Sequence, residues 1–192
     1  MGYRVASEVG QLKQVIVHRP GLEMARLTPT NKDDLLFDDL LCLDNAQAEH
    51  DAFAGVLRGA GAEVLYLQDL LTDTLRVPGA KEYVLCRVID ERIFGPEGVE
   101  ALRGYTDQLP TEALAEFLVA GMTTRELLDI MPEPNSMATK FMGVDDFVLN
   151  PLPNHLFTRD TSCWVYDGVA INSMSKPARQ RETITYEAIY RW

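Results

Sequence analysis

The densest run of residues able to do chemistry is Pro151-Leu152-Pro153-Asn154-His155-Leu156-Phe157-Thr158-Arg159-Asp160-Thr161. An ionised Asp160 only accepts hydrogen bonds, and its two oxygens match the parallel N–H pairs of a guanidinium. Asn154 brings one donor and one acceptor group, and Phe157 offers an apolar wall. Downstream, Arg179 can fork onto a carboxylate in the same two-point way. Two prolines stiffen the approach, and a stiff loop between strands is a favourable place to hold a binding carboxylate. Read from the residues alone, Asp160 serves equally well as the ion-pair partner of a structural arginine. Arg159 is expected to be structural, facing away from Asp160 if the segment is extended.

The remaining reactive side chains form no second cluster. His155 has no partner at metal-ligand spacing and reads as a polar loop residue, while His18 and His50 read as structural, His50 on a helix flank. Cys42, Cys86 and Cys163 are odd in number and widely spaced, without CxxC or Cys/His pairing. That pattern implies a reducing compartment, with no disulfide framework and no metal site. Cys163 sits beside Trp164 in an alternating segment, where a free thiol behaves as a small apolar residue. None of the three has an evident cationic neighbour or glycine-rich helix start to lower its pKa, so no nucleophile is expected among them.

The elements that must position these residues begin with Leu12–His18, a β-branched strand stopped by Pro20-Gly21. A polar loop, Thr28–Asp34, leads into Leu35-Leu36-Phe37-Asp38-Asp39-Leu40-Leu41. From Asp44 the period becomes helical, with Ala46, His50, Phe53 and Leu57 on one face and Asp44 or Asn45 as the cap. Gly59-Ala60-Gly61 ends that helix, and Glu63–Leu67 resumes as a strand. Residues 70–143 read as an amphipathic helical bundle, with runs 81–93, 96–109, 111–120 and 123–131 punctuated by glycine and proline. Strands return at Asp146–Leu149 and Ser162–Tyr166. A turn at Asp167-Gly168 then leads to Val169–Asn172, an Asp-Gly hairpin signal. A helix follows from Pro177, with Ile184, Ala188 and Trp192 in register. The expected architecture is therefore α/β: units at 1–69 and 144–192, the second incomplete, around a helical insertion at 70–143.

Composition narrows the partners. With 18 Lys and Arg against 29 Asp and Glu, the chain carries a formal charge of −11. It repels phosphate backbones and anionic lipid, which argues against nucleic acid and membrane surfaces but not against a small cation. At 46% hydrophobic and 24% charged residues, the 192-residue chain has the make-up of a folded domain rather than a disordered one. No apolar run approaches the roughly 18 residues that span a bilayer, and the polar start of the chain does not resemble a signal peptide. Met1-Gly2 matches a myristoylation start only by coincidence. The expected location is cytoplasmic.

Three strings together resemble the arginine deiminases: Leu35-Leu36-Phe37-Asp38-Asp39, the helical Glu49-His50-Asp51-Ala52-Phe53, and above all PLPNHLFTRDTSCW from Pro151 followed by Lys176-Pro177-Ala178-Arg179. The resemblance runs over essentially the whole chain. It implies a pentein-type fold, a pseudo-fivefold α/β propeller present here in part, with an α-helical bundle inserted after the first unit. It also implies hydrolysis of L-arginine to L-citrulline and ammonia through a cysteine-bound intermediate, with no cofactor and no metal. Asp160 would be one of two carboxylates gripping the guanidinium. Asn154 and Arg179 would hold the α-carboxylate end, Phe157 would line the pocket, and Leu36 would lie on a closing loop. The full-length enzyme would be a homo-oligomer.

The chain departs from that pattern at the chemistry itself. The family's nucleophilic cysteine, in a Gly-rich His-Cys setting, its catalytic histidine and its second acidic residue have no counterparts in residues 1–192. The final helix also lacks a glycine cap and a closing strand, as if cut inside a repeating unit. The expectation is a chain holding part of a substrate site and inactive alone. Other readings are a non-catalytic arginine-binding or interaction module, and a relative such as a dimethylarginine hydrolase or an amidinotransferase. The insertion and the LLFDD string speak against the relatives.

Overall fold

A computed structural model describes residues 3–132 and 142–192 of the chain. Strand β1 (Gln14–Val17) stops before Pro20-Gly21, and the short helix α1 (Leu22–Ala25) follows. Helix α2 (Leu43–Gly59) crosses back, and Gly61, at φ 87°, supplies the left-handed turn into β2 (Glu63–Tyr66). The two strands are parallel, in register from Gln14 with Glu63 to Val17 with Tyr66, which a helical crossover makes possible. The expected strand–helix–strand unit is thus present, with two corrections on α2. Its N-cap is Cys42, not Asp44 or Asn45, and its buried face centres on His50 and Ala54 while Phe53 is exposed. His50 is therefore an inward residue rather than a flanking one.

Helix α3 (Leu67–Arg76) continues directly from β2 and is followed by α4 (Ala80–Val88), α5 (Glu91–Gln108), α6 (Thr111–Ala120) and α7 (Thr124–Ile130). The single run expected over 81–93 is divided. Asp90 accepts from the Arg92 amide at 2.9 Å and caps a new helix there. Gly95, at φ 70° and ψ 167°, then kinks α5 ahead of Pro96, where the sequence predicts a break. Helix α7 opens with a reciprocal capping box between Thr123 and Glu126.

The main apolar core joins Leu71 and Leu75 of α3, Val84, Leu85 and Val88 of α4, and Leu114, Leu118 and Val119 of α6, with Phe94, Leu102, Met122, Leu127 and Leu149. Between α6 and α7, strand β3 (Met122–Thr123) pairs antiparallel with β4 (Phe147–Leu149). The segment expected to open a second α/β unit is therefore hydrogen-bonded to the end of the helical stretch. Gly121 makes that join possible: its φ is +76°, and a Cβ there would lie 2.1 Å from the Leu149 carbonyl oxygen.

Strands β5 (Ser162–Val165) and β6 (Gly168–Ile171) form the expected hairpin, displaced by one residue. Val165 pairs with Gly168, so Tyr166 and Asp167 make the turn, with Tyr166 at φ 50°. Tyr166 is held there by backbone bonds to Val5 in both directions, at 2.9 Å each. The helix expected from Pro177 is two pieces, α8 (Pro177–Gln180) and α9 (Glu182–Arg191), joined at Arg181. Ala188 enters the main core and α9 crosses α3 and α4. A smaller apolar cluster of Met24, Leu27 and Leu35, with Phe37, Leu156 and Ala178 against it, lies beneath the residues of interest.

Among the described residues no helix is long and apolar enough to cross a membrane. The expected punctuation at Pro134 and the Met1-Gly2 start lie outside the described residues.

Candidate functional site

The run from Pro151 is not a plain loop. Pro153 starts a 3-10 helix over Pro153–Leu156, a position where its missing N–H costs nothing. This tight turn buries Asn154 and His155 and leaves Phe157 exposed. The chain then turns through Thr158–Thr161 instead of extending. The alternation argument for Arg159 therefore fails, although the residue does face outward and pairs with Glu8 at 2.9 Å.

Two bonds fix the turn. The Thr158 hydroxyl donates to the Ile16 carbonyl of β1 at 2.9 Å, and Asn172, just past β6, donates through Nδ2 to the Asp160 carbonyl at 2.8 Å. Asp160 is thereby held between two strands of different sheets, with its carboxylate about half exposed (48%).

Arg179 of α8 reaches into the same place. Its Nη1 donates to Asp160 Oδ2 at 2.6 Å, and its Nε and Nη2 donate to Glu182 Oε1 and Oε2 at 3.0 Å each. Nη2 also lies 3.4 Å from the carbonyls of Asn154 and Phe157, and the guanidinium carbon is 5.9 Å from the Phe157 ring centre. Of the two readings open for Asp160, the ion pair with a structural arginine is thus realised, and that arginine is another candidate site residue.

Leu36 completes the group. It sits at φ 66° in a turn closed by the Phe37 amide on the Lys32 carbonyl at 2.8 Å. Leu35 points into the small core, Leu36 points out, and the Phe37 ring is 6.5 Å from that of Phe157. Asn154 ties this turn to the 3-10 helix by donating from Nδ2 to the Leu35 carbonyl at 2.7 Å. Asn154, Phe157 and Asp160 meet around the Arg179 guanidinium, and Leu36 lies on the adjoining turn, tied to them through Leu35 and Phe37.

Glu182 was not selected, yet it is fully buried and is the strongest partner of Arg179. Its i, i+3 spacing from Arg179 is the one sequence signal that points to it. Burial pushes its carboxyl above the usual range, and the hydrogen bond from Arg179 draws it part of the way back. Burial also works against the charge on Arg179, but the bonds to Glu182 and Asp160 outweigh it and hold that pKa above its ordinary value.

Beneath the 3-10 helix the histidines depart from expectation. His155 is wholly buried, neither ring nitrogen has a hydrogen-bond partner, and burial holds its pKa well below the ordinary value. Its ring lies 5.7 Å from His18 and 5.8 Å from Tyr186. The adjoining Leu152 and Leu156 draw the turn into the apolar layer and carry His155 with them. His18 is buried and lies 3.0 Å from the buried Glu23 carboxylate.

The cysteines need two corrections. All three are free and exposed, and Cys163 faces out of its hairpin while Trp164 faces in. Cys86 also has a cation beside it, Arg87 Nη1 at 3.7 Å, because adjacent helical side chains can bend toward each other where the surface is open. Cys86 lies on α4 and is not among the hydrogen-bond partners of Asp160 or Arg179. Among the described residues no group of three or more His, Cys, Asp or Glu could hold a metal ion.

A separate cleft of about 700 Å³ is lined by His18, Glu23, Asp69, Asp73, Arg76 and Glu112, among others. None of the five selected residues lines it, so its volume does not mark the candidate site. The arrangement around Arg179 brings together a half-exposed carboxylate, Asp160, and a guanidinium paired to it and to Glu182, and it contains no thiol. The model of the arginine deiminase family matches this chain over residues 33–192, a span that contains every residue of the cluster.

Proposed function

This chain belongs to the arginine deiminase family, and from that premise we propose that residues 1–192 form the arginine-recognition part of an enzyme that hydrolyses L-arginine to L-citrulline and ammonia. The carrying observation is the single contact set in which Arg179 meets Asp160, Asn154 and Phe157. Asp160 takes the substrate guanidinium through two parallel N–H···O bonds. Arg179 and Asn154 take the α-carboxylate, Phe157 forms the wall beside the aliphatic stem, and the turn bearing Leu36 closes over it. L-arginine is the small-molecule partner, and its positive charge suits the acidic chain.

The reaction in this reading is attack of a thiolate on the guanidinium carbon, departure of ammonia, and hydrolysis of the resulting S-linked intermediate by water. A carboxylate held by its backbone on a fixed turn orients the cationic guanidinium for that attack. None of Cys42, Cys86 and Cys163 belongs to the Arg179 cluster, so the contribution of these residues is recognition. The parallel β1–α2–β2 unit and the β5–β6 hairpin with α9 are read as propeller units, at 1–69 and 144–192, and residues 70–143 as a helical insertion. Cytoplasmic location and homo-oligomeric assembly of the enzyme belong to the same reading.

The test is a citrulline assay on the purified 192-residue chain with L-arginine. No citrulline is expected. Citrulline formed by the chain and lost on Asp160→Ala would overturn the division of labour proposed here.

A further inference from the structure

Arg179 has two carboxylate partners, and they differ in kind. Glu182 is fully buried and takes the whole Nε/Nη2 edge of the guanidinium, at 3.0 Å to each oxygen. Asp160 is about half exposed and receives one hydrogen bond, from Nη1. A two-point bond in a water-poor setting is stronger and better oriented than a one-point bond at the surface. Charge gives the same ranking. One guanidinium needs one carboxylate, and Glu182 supplies it. The other nearby cation, Arg181, directs Nη1 to the Leu118 carbonyl at 2.7 Å and Nη2 to the Asn150 carbonyl, away from Asp160.

We infer that Glu182 is a positioning residue that anchors Arg179 and so leaves Asp160 free to exchange its single bond for an incoming guanidinium. The inference rests on the proposed arginine-recognition reading and adds to it the residue that keeps the site open. An arriving guanidinium presents two parallel N–H groups to Asp160 and displaces the one Arg179 now offers. Arg179, still fixed along its other edge, turns its freed Nη1 to the ligand carboxylate. Without an ionised Glu182, Arg179 settles its charge on Asp160 and blocks the site with the same chemical group the ligand would bring. Nothing in the mechanism requires Glu182 to touch the ligand.

The test compares wild type, Glu182→Gln, Glu182→Asp and Asp160→Ala forms of the 192-residue chain. Binding of L-arginine and of ethylguanidinium is followed by NMR, and folding by circular dichroism. Glu182→Gln is expected to weaken both ligands by about tenfold or more, and Glu182→Asp, which keeps the charge, to stay within about threefold of wild type. The Arg179 Nε–Hε resonance should be protected from exchange in wild type and in Glu182→Asp, and lose that protection in Glu182→Gln. A folded Glu182→Gln chain with wild-type affinity overturns the inference, as does unchanged Nε–Hε protection. If Glu182→Gln does not fold, a folded Glu182→Asp chain that binds as poorly as Asp160→Ala overturns it. Absence of any ligand response in wild type, unchanged in Asp160→Ala, counts against the recognition reading alone; the Nε–Hε comparison then still decides the role of Glu182.

Discussion

Arg179 places its Nη1 2.6 Å from Asp160 Oδ2, so a guanidinium of the chain itself occupies the carboxylate proposed to receive the guanidinium of a ligand. The two halves of the pair are unequal in burial: the Arg179 side chain is 11% exposed and that of Asp160 48%. Half-exposed ion pairs contribute at most about 1 kcal/mol, whereas removing one member of a buried pair costs about 3–5 kcal/mol because a charge is left unmatched. Asp160→Asn should therefore change stability by less than about 1 kcal/mol, and Arg179→Ala should cost about 3–5 kcal/mol. Urea unfolding of both variants checks this. Equal effects would mean that the bond to Glu182 is not the dominant one.

The bond from Asn154 Nδ2 to the Leu35 carbonyl joins the turn carrying Leu36 to the 3-10 helix. Asn154→Ala leaves that carbonyl without its partner and should cost about 1–3 kcal/mol. It should also release the turn, raising amide exchange at Leu36 and Phe37 before it raises exchange in β1. Hydrogen exchange read by NMR distinguishes this local opening from general loss of stability.

Leu36 itself holds a left-handed backbone at φ 66°, which is unfavourable for a branched side chain. Leu36→Gly relieves that strain but adds freedom to the unfolded chain, and the net gain should be small, about 0.5 kcal/mol. If the exposed side chain closes over a ligand, the same change should weaken arginine binding. A variant both more stable and weaker in binding is the expected signature, read by urea unfolding and NMR titration.

These dependences show how much of the site was legible in the residues. The strings carrying Asn154, Phe157, Asp160 and Arg179 identified the members, because donor and acceptor chemistry is a property of residue type. Their partners were not legible. Glu182 drew no notice in the sequence, because its burial is decided by how α8 and α9 fold back against the turn. His155 looked like a loop residue because nothing local predicts a 3-10 turn pressed into an apolar layer. The same holds for the fold: the β1–α2–β2 unit followed from period and punctuation, whereas the pairing of β3 with β4 depended on the backbone approach at Gly121. The hairpin slipped by one residue because a contact distant in sequence, Val5 with Tyr166, competed with the local Asp-Gly preference.

Gly121 offers a sharp test of that approach. With φ +76° and a Cβ that would sit 2.1 Å from the Leu149 carbonyl oxygen, Gly121→Ala must push β4 away from α6. The expected cost is at least about 3 kcal/mol, well above the roughly 1 kcal/mol typical of a single substitution. Thermal unfolding of the variant measures it.

His155 predicts an acid dependence of stability. Burial depresses its pKa below the ordinary 6.5, with His18, Arg181 and Arg179 adding to the effect and Tyr186 packed beside it. The unfolded chain therefore takes up a proton as pH falls through 6.5 while the folded chain does not. The contribution is full above that pH and is lost below it, by up to about 1.4 kcal/mol per pH unit. Burial lowers the His50 pKa as well, so part of the slope should persist in His155→Leu. Urea unfolding at pH 5 and pH 7.5 for wild type and His155→Leu separates the two.

The central claim, that the cluster around Arg179 recognises arginine through both of its ends, is most directly tested by NMR titration of the 192-residue chain with L-arginine at millimolar concentrations. The account predicts saturable shifts at Asn154, Phe157 and the Arg179 side chain, lost in Asp160→Ala and weakened when ethylguanidinium, which has no carboxylate, replaces arginine. Shifts confined to other surfaces, or shifts at these residues that survive Asp160→Ala, would contradict it.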